Sequence, residues 1–400
     1  MTTSIDSSIT YDPYDADICA NPYPIFARLR EEAPLYYNEQ YNFFALSRFD
    51  DVERGLGDFE TYSSARGNML EVVNANIEIP SGVFIFEDPP MHRAHRSVLS
   101  KVFTPRKMMA LEPQIRQFCA QVLDPLVGTE RFDFVEDLGA IMPMRVIGML
   151  LGIPVEDQQA VREKGDKKLR HAPGMPTDPT LHNFADGSFF ADYINWRASH
   201  PSDDLMTELI QAEFEDPDGT VRRLTTDEIL IFINILATAG NETTNRVLGW
   251  SGKILAEHPD QRRLVREDRS LISPAVEEIL RCEPPAHQAA RYVTRDVELH
   301  GQTVPAGSTM LLLLAAANRD HRAFPPDGDV FDVRRVIDHH LTFGRGIHFC
   351  LGASLARLEA RVALDEILNR FPEWQVDVDN AQMDSSTVRG WKSLPTIVSR

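Results

Sequence analysis

One segment limits the architecture more than any other. From about Asp227 to His258 the chain reads as a single continuous helix. The "TTDE" at its start has a capping-box pattern, a Thr cap with Glu228 placed to reach back. Thirty-odd residues at about 1.5 Å each make a rod of roughly 45–50 Å, long for a globular helix. A rod of that length crosses a whole molecule. The 400 residues show no Pro/Gly/Ser linker, internal repeat or low-complexity tract. Residues 1–400 are therefore expected to form one domain, large enough to enclose a cofactor.

Around this rod the pattern stays mostly helical. "NPYPIFARLREEAP", "HRAHRSVLSKVFT", "RKMMALEPQIRQFCAQVLDPL", "AIMPMRVIGMLLGIP" and "FADGSFFADYINWRAS" read as helices, with a proline-rich loop at "HAPGMPTDPTLHN". Strand signals gather later, in "ARYVTRDVELHGQTVPAGSTMLLLLAAAN" and in "STVRGWKSLPTIVS", which reads as a strand pair. The expected fold class is mainly α with a smaller β portion.

The net charge of −19 argues against a general nucleic-acid binder, whose footprint is basic. The polar, acidic start lacks the basic and apolar regions of a signal peptide, and the apolar runs are too short to span a bilayer. A cytoplasmic protein is expected, with no membrane contact. Cys19, Cys119, Cys282 and Cys350 are widely spaced, which disfavours a disulfide framework or a standard zinc site.

Cys350 has the most unusual setting, "HLTFGRGIHFCLGASLARLEAR". Gly344 and Gly346 permit a tight turn with positive φ. Leu351, Leu355, Leu358 and Val362 then recur at helical spacing. A cysteine at a helix N-terminus meets free N–H groups and the helix dipole, which favour a thiolate. At Gly352 a side chain could collide with something broad and flat. An inert buried cysteine leaves Phe343, Gly346, His348 and Gly352 unexplained.

The segment "FGRGIHFCLG" resembles the haem-binding loop of the cytochrome P-450 family, soluble bacterial haem-thiolate monooxygenases among them. The match falls on Phe343, Gly346, His348, Cys350 and Gly352. The resemblance implies haem b, with Cys350 as the axial iron ligand, Phe343 as an apolar shield and His348 reaching a propionate. It also implies the family fold, with the long helix crossing the haem. "ATAGNETTNR" resembles the family's oxygen-activation motif at Ala239, Gly240, Glu242, Thr243 and Thr244. There Gly240 leaves room for a diatomic ligand, Thr243 donates a hydrogen bond, and Glu242 connects that bond to solvent protons. Glu278 and Arg281 fit the family's buried ion pair, completed by Arg335 or Arg334. His92, Arg96 and Arg291 stand where the family binds propionates.

The implied reaction inserts one oxygen atom of O2 into an apolar small molecule. Electrons would come from a ferredoxin and an NAD(P)H-dependent ferredoxin reductase, with Arg106, Lys107, Arg345 and Arg357 as a docking cluster. A monomer is expected. Phe84, Phe86, Leu236, Ala286, Gln288 and Trp391 are the candidate pocket residues. The alternatives are a peroxide-dependent haem peroxygenase and a non-catalytic haem-thiolate sensor.

Overall fold

Thr225 caps the long helix as its sequence predicts. Its side chain accepts from the Glu228 amide, and Glu228 Oε2 accepts from the Thr225 amide at 2.7 Å. The structure, a computed structural model, describes residues 9–169, 176, 188–384 and 388–398. The proline-rich loop expected at 171–183 lies outside the described residues apart from Pro176.

In chain order the framing helices are α1 (Met91–Ser100), α2 (Met142–Leu151), α3 (Thr226–Glu257), α4 (Ile272–Cys282) and α5 (Ala353–Arg370). The long helix is α3. It is buried along most of its length, from Ile229 to Leu255. A helix that is apolar nearly all round belongs inside a core. Helices α2, α4 and α5 all pack on it.

The β portion is smaller and sits to one side. Strands β1 (Leu35–Asn38), β2 (Phe43–Leu46), β3 (Tyr62–Ser63), β4 (Ala289–Val293) and β5 (Thr309–Leu312) form a sheet ordered β1-β2-β5-β4-β3. Only β2 and β5 run parallel. The β1–β2 hairpin was not anticipated, although Tyr36, Tyr37, Phe43 and Phe44 have strand character. The final segment corrects the reading of a strand pair. Gly390–Ser393 pairs with Gln382–Asp384, whereas Pro395–Val398 pairs with Trp374–Val376 and Arg131–Asp133. Asp133 separates the two, accepting from Ser393 Oγ at 2.6 Å and from the Leu394 amide at 2.9 Å.

A buried ionic group anchors the cysteine loop. Arg281 donates to both Glu278 oxygens at 2.7 Å, and neither side chain is exposed. The second cation is Arg335, whose Nε lies 3.2 Å from Glu278 Oε1, while Arg334 is exposed. Arg281 also donates to the carbonyls of Asn318 and Gly328. Asn318 in turn accepts from the Leu341 amide and donates to Thr342, just ahead of the turn. Buried charge is tolerated here because every donor has an acceptor.

Candidate active site

Gly344 and Gly346 adopt φ of 69° and 66°, as the tight turn requires. The turn brings the Cys350 amide 2.8 Å from the Phe343 carbonyl. Cys119 and Cys282 are buried, but Cys350 is exposed. Desolvation in its recess pushes the Cys350 thiol up. The Gly352 amide opposes this most, followed by Arg96, Arg357 and the Ala353 amide. A Cβ added at Gly352 would meet no atom of the chain within 4 Å, so internal packing does not account for this glycine. Phe343 is buried beneath Arg357, whose guanidinium lies 4.3 Å from the ring centroid. Glu277 holds that guanidinium at 2.7 Å.

The middle of α3 has an open stretch. Ala239 is exposed and Thr243 half-buried, although Ile235 to Ala237 before them and Thr244 to Leu255 after them are almost all buried. Residues four apart share a helix face. Thr243 Oγ1 donates to the Ala239 carbonyl at 2.7 Å. Gly240 also lies against a neighbouring helix. A Cβ there would meet Ile147 Cδ1 of α2 at 3.3 Å, so the missing side chain serves the α2–α3 crossing. Glu242 departs from expectation. It is buried and ion-paired with Arg246, one turn on. Arg246 also binds Asp384 and donates to the Trp391 carbonyl. The Glu242 carboxylate therefore turns inward, toward Asp384 and the Gly390–Ser393 strand, and not to solvent.

His92, Arg96, Arg291 and His348 come together from three parts of the chain. The His92 and His348 ring centroids are 4.4 Å apart. Each has a buried Nε2 with no hydrogen-bond partner among the described residues. Burial lowers His348 to about 3, helped by Arg291, His92 and Arg96. Burial also lowers Arg291 to about 10, which Asp88 only partly offsets. Arg96 donates to the Phe349 carbonyl, beside the cysteine. A buried guanidinium beside imidazoles whose charged forms it suppresses is a costly arrangement without an anion among them. The residues present thus fit an anionic group lying next to Cys350.

The pocket candidates divide. Phe84, Phe86 and Leu236 are buried in the same apolar cluster as α3, and Trp391 packs on that cluster. Ala286 packs with the sheet side, and Gln288 accepts from Tyr11 Oη at 2.8 Å. These two serve the sheet instead of joining the other four. The docking cluster is largely neutralised: Lys107 pairs with Glu208 at 3.1 Å, Arg345 with Glu53 at 3.2 Å and Arg357 with Glu277. Arg106 is exposed. Sequence reading missed His95, Arg246 and Asp384. The i, i+4 spacing of Glu242 and Arg246 was the one available signal.

An exposed cysteine on a glycine turn, with Arg96, His92, His348 and Arg291 gathered beside it, fits a class of proteins that hold an anionic prosthetic group on a thiolate. Comparison with known proteins resolves which. Residues 179–396 match the family model for cytochrome P450. The chain is 40% identical to the protein designated cytochrome P450 123 in Mycobacterium tuberculosis, over 100% of this chain and 99% of the relative. It is 34% identical to cytochrome P450 monooxygenase PikC of Streptomyces venezuelae, over 95% and 91%. The structure of CYP109E1 from Bacillus megaterium in complex with testosterone superposes with a TM-score of 0.86, at 29% identity and 96% and 100% coverage. A mutant of P450 EryK in complex with erythromycin B gives 0.86 at 33% identity, over 96% and 97%. The chain belongs to the cytochrome P450 family, and it is a monooxygenase with the haem cofactor and fold of that family.

Proposed function

We propose that the chain is a haem-thiolate monooxygenase of apolar small molecules, with Cys350 as the axial ligand of haem b. The observation that carries this reading is the exposed Cys350 beside two buried imidazole Nε2 atoms without a hydrogen-bond partner among the described residues, those of His92 and His348, and the guanidinium groups of Arg96 and Arg291. Thiolate-ligated haem, when bound, supplies the activation of O2. Cys350 would bind iron as the thiolate, and the Gly352 and Ala353 amides would restrain its charge. His92, Arg96, Arg291 and His348 would hold the propionates.

Thr243 holds a proton at Oγ1, now given to the Ala239 carbonyl. Rotation about χ1 turns that proton toward the open side of α3. Glu242 has to part from Arg246 before it relays a proton to Thr243. Phe84, Phe86 and Leu236 supply an apolar wall that favours apolar substrates and keeps water out. The two relatives with testosterone and erythromycin B in their structures support a small-molecule substrate. Electrons would arrive from a separate ferredoxin and an NAD(P)H-dependent ferredoxin reductase. Among the described residues no helix is long and apolar enough to cross a membrane, and we place the enzyme in the cytoplasm as a monomer.

The test is the absorption spectrum of the reduced protein under carbon monoxide. The strongly red-shifted Soret band of thiolate ligation is expected, and Cys350→His should abolish it. A band at the position of nitrogen-ligated haem in the unaltered protein refutes the assignment.

A further inference from the structure

His95 lies on α1 between the residues assigned to the propionates, but its contacts are with Glu87 and Glu228. It is fully buried. Its Nδ1 lies 2.8 Å and 3.0 Å from the two oxygens of Glu87, and its Nε2 makes a longer ion-pair contact, 3.3 Å from Glu228 Oε1, without hydrogen-bond geometry. Glu87 also accepts from the Gly82 amide at 3.0 Å, so it folds residues 82–87 into a closed loop. That loop contains Phe84 and Phe86. Glu228 sits in the first turn of α3, where it closes the capping box and receives both Arg222 terminal nitrogens at 2.7 and 2.8 Å.

Packing reinforces the contact. The Gly82 φ is +95°, and a Cβ there would come 3.3 Å from Glu228 Cγ. Phe232, one turn along α3, touches the rings of both Phe84 and His95, with centroids 5.2 and 5.4 Å away. The hairpin strand Glu213–Glu215 covers His95 with Phe214, while its Glu213 pairs with Arg223. Asp216 is engaged by Arg222. On α1 itself His92 is the nearest titrating neighbour, and it repels a charged His95.

We propose that His95 is a positioning residue for the substrate site: it bridges Glu87 to Glu228 and thereby fixes the 82–87 loop against the first turn of α3. The proposal rests on the reading that Phe84 and Phe86 line the pocket. A charged imidazole donates from both nitrogens, whereas a neutral one donates from only one. Burial pushes His95 down, but Glu87 and then Glu228 outweigh it and hold it above the ordinary imidazole range. The doubly donating form therefore holds at lower pH, and it is lost as pH rises through the value in the folded protein. The neutral ring keeps its Nδ1 hydrogen bond to Glu87, so the longer Nε2 contact to Glu228 is the one that is lost, and the loop is then no longer tied to α3 through His95.

The test uses the full-length haem-loaded protein, with fluconazole, a triazole without a proton equilibrium in the working range, as the probe. Amide exchange in residues 81–90, corrected for its chemical pH dependence, and the fluconazole Kd are measured across neutral to alkaline pH. Exchange should quicken and Kd rise by about five-fold, the factor set by the fraction of molecules that keep the loop in place. His95→Gln should show the alkaline values at every pH, with its melting temperature as a check on folding. Loop exchange that ignores pH in the unaltered protein, or a pH response that survives in His95→Gln, overturns the proposal. Exchange that changes while Kd stays constant upholds the bridge but removes the loop from the pocket wall.

Discussion

His92 and His348 stand with ring centroids 4.4 Å apart, each with a buried Nε2 that meets no hydrogen-bond partner among the described residues. Their common need is an anion, and Arg291 shares it. Removing the Arg291 charge should therefore act in opposite directions on two states. Arg291→Met should raise the melting temperature of haem-free protein by a few degrees, because an uncompensated buried charge is gone. It should also speed haem transfer to an acceptor globin about ten-fold. A haem-free form that melts lower removes the idea that this cation is strained without an anion.

Thr243→Ala should leave haem content and ligand affinity intact while electrons flow to peroxide. Loss of the donor at Oγ1 is expected to cut product per electron by ~10-fold or more. Peroxide and product yields, measured together against NAD(P)H consumed, decide this. Unchanged yields would mean that Thr243 has no part in proton handling.

Glu242, Arg246 and Asp384 share one buried site, with the Arg246 guanidinium paired to both acids. Arg246→Leu removes the guanidinium from between two buried carboxylates and should cost about 3 kcal/mol or more in urea unfolding. Arg246→Lys should recover part of this, since a lysine keeps the charge but not the fork. Equal stability of Leu and Lys variants would show that the charge is not what matters.

Glu277 fixes the acid limb of stability. Burial pushes it up, but His340 and Arg357 outweigh burial and bring it to about 2. A carboxyl lowered on folding stabilises the protein above the unfolded value of about 4.3, and this is lost as pH falls toward about 2. The contribution is on the order of 2–3 kcal/mol, allowing for partial exposure. Glu277→Gln should lower stability at neutral pH and flatten its decline between these values. Thermal melts at several pH values check both parts, and parallel curves for the two proteins would exclude the effect.

The parts readable in the sequence were those whose physics is local. The Thr225–Glu228 cap depends on four consecutive residues, and the Gly344 and Gly346 turn on backbone freedom alone. Residues that act across the fold were harder. "MHRAHR" drew attention to His92 and Arg96, while His95 passed unnoticed because its partners lie in a loop and in a distant helix. Gly240 and Glu242 were read as motif members, but which way each points depends on where α3 meets Ile147 and Asp384. Helical phase relative to neighbours is a tertiary property.

The sheet order β1-β2-β5-β4-β3 interleaves early and late chain. On a ribosome, the β1–β2 hairpin and β3 emerge long before the two strands that must lie between them. Both present unsatisfied backbone edges until residues 289–312 are made. The nascent chain therefore passes through a long interval in which shielding by chaperones, not its own contacts, decides whether those edges find the right neighbours.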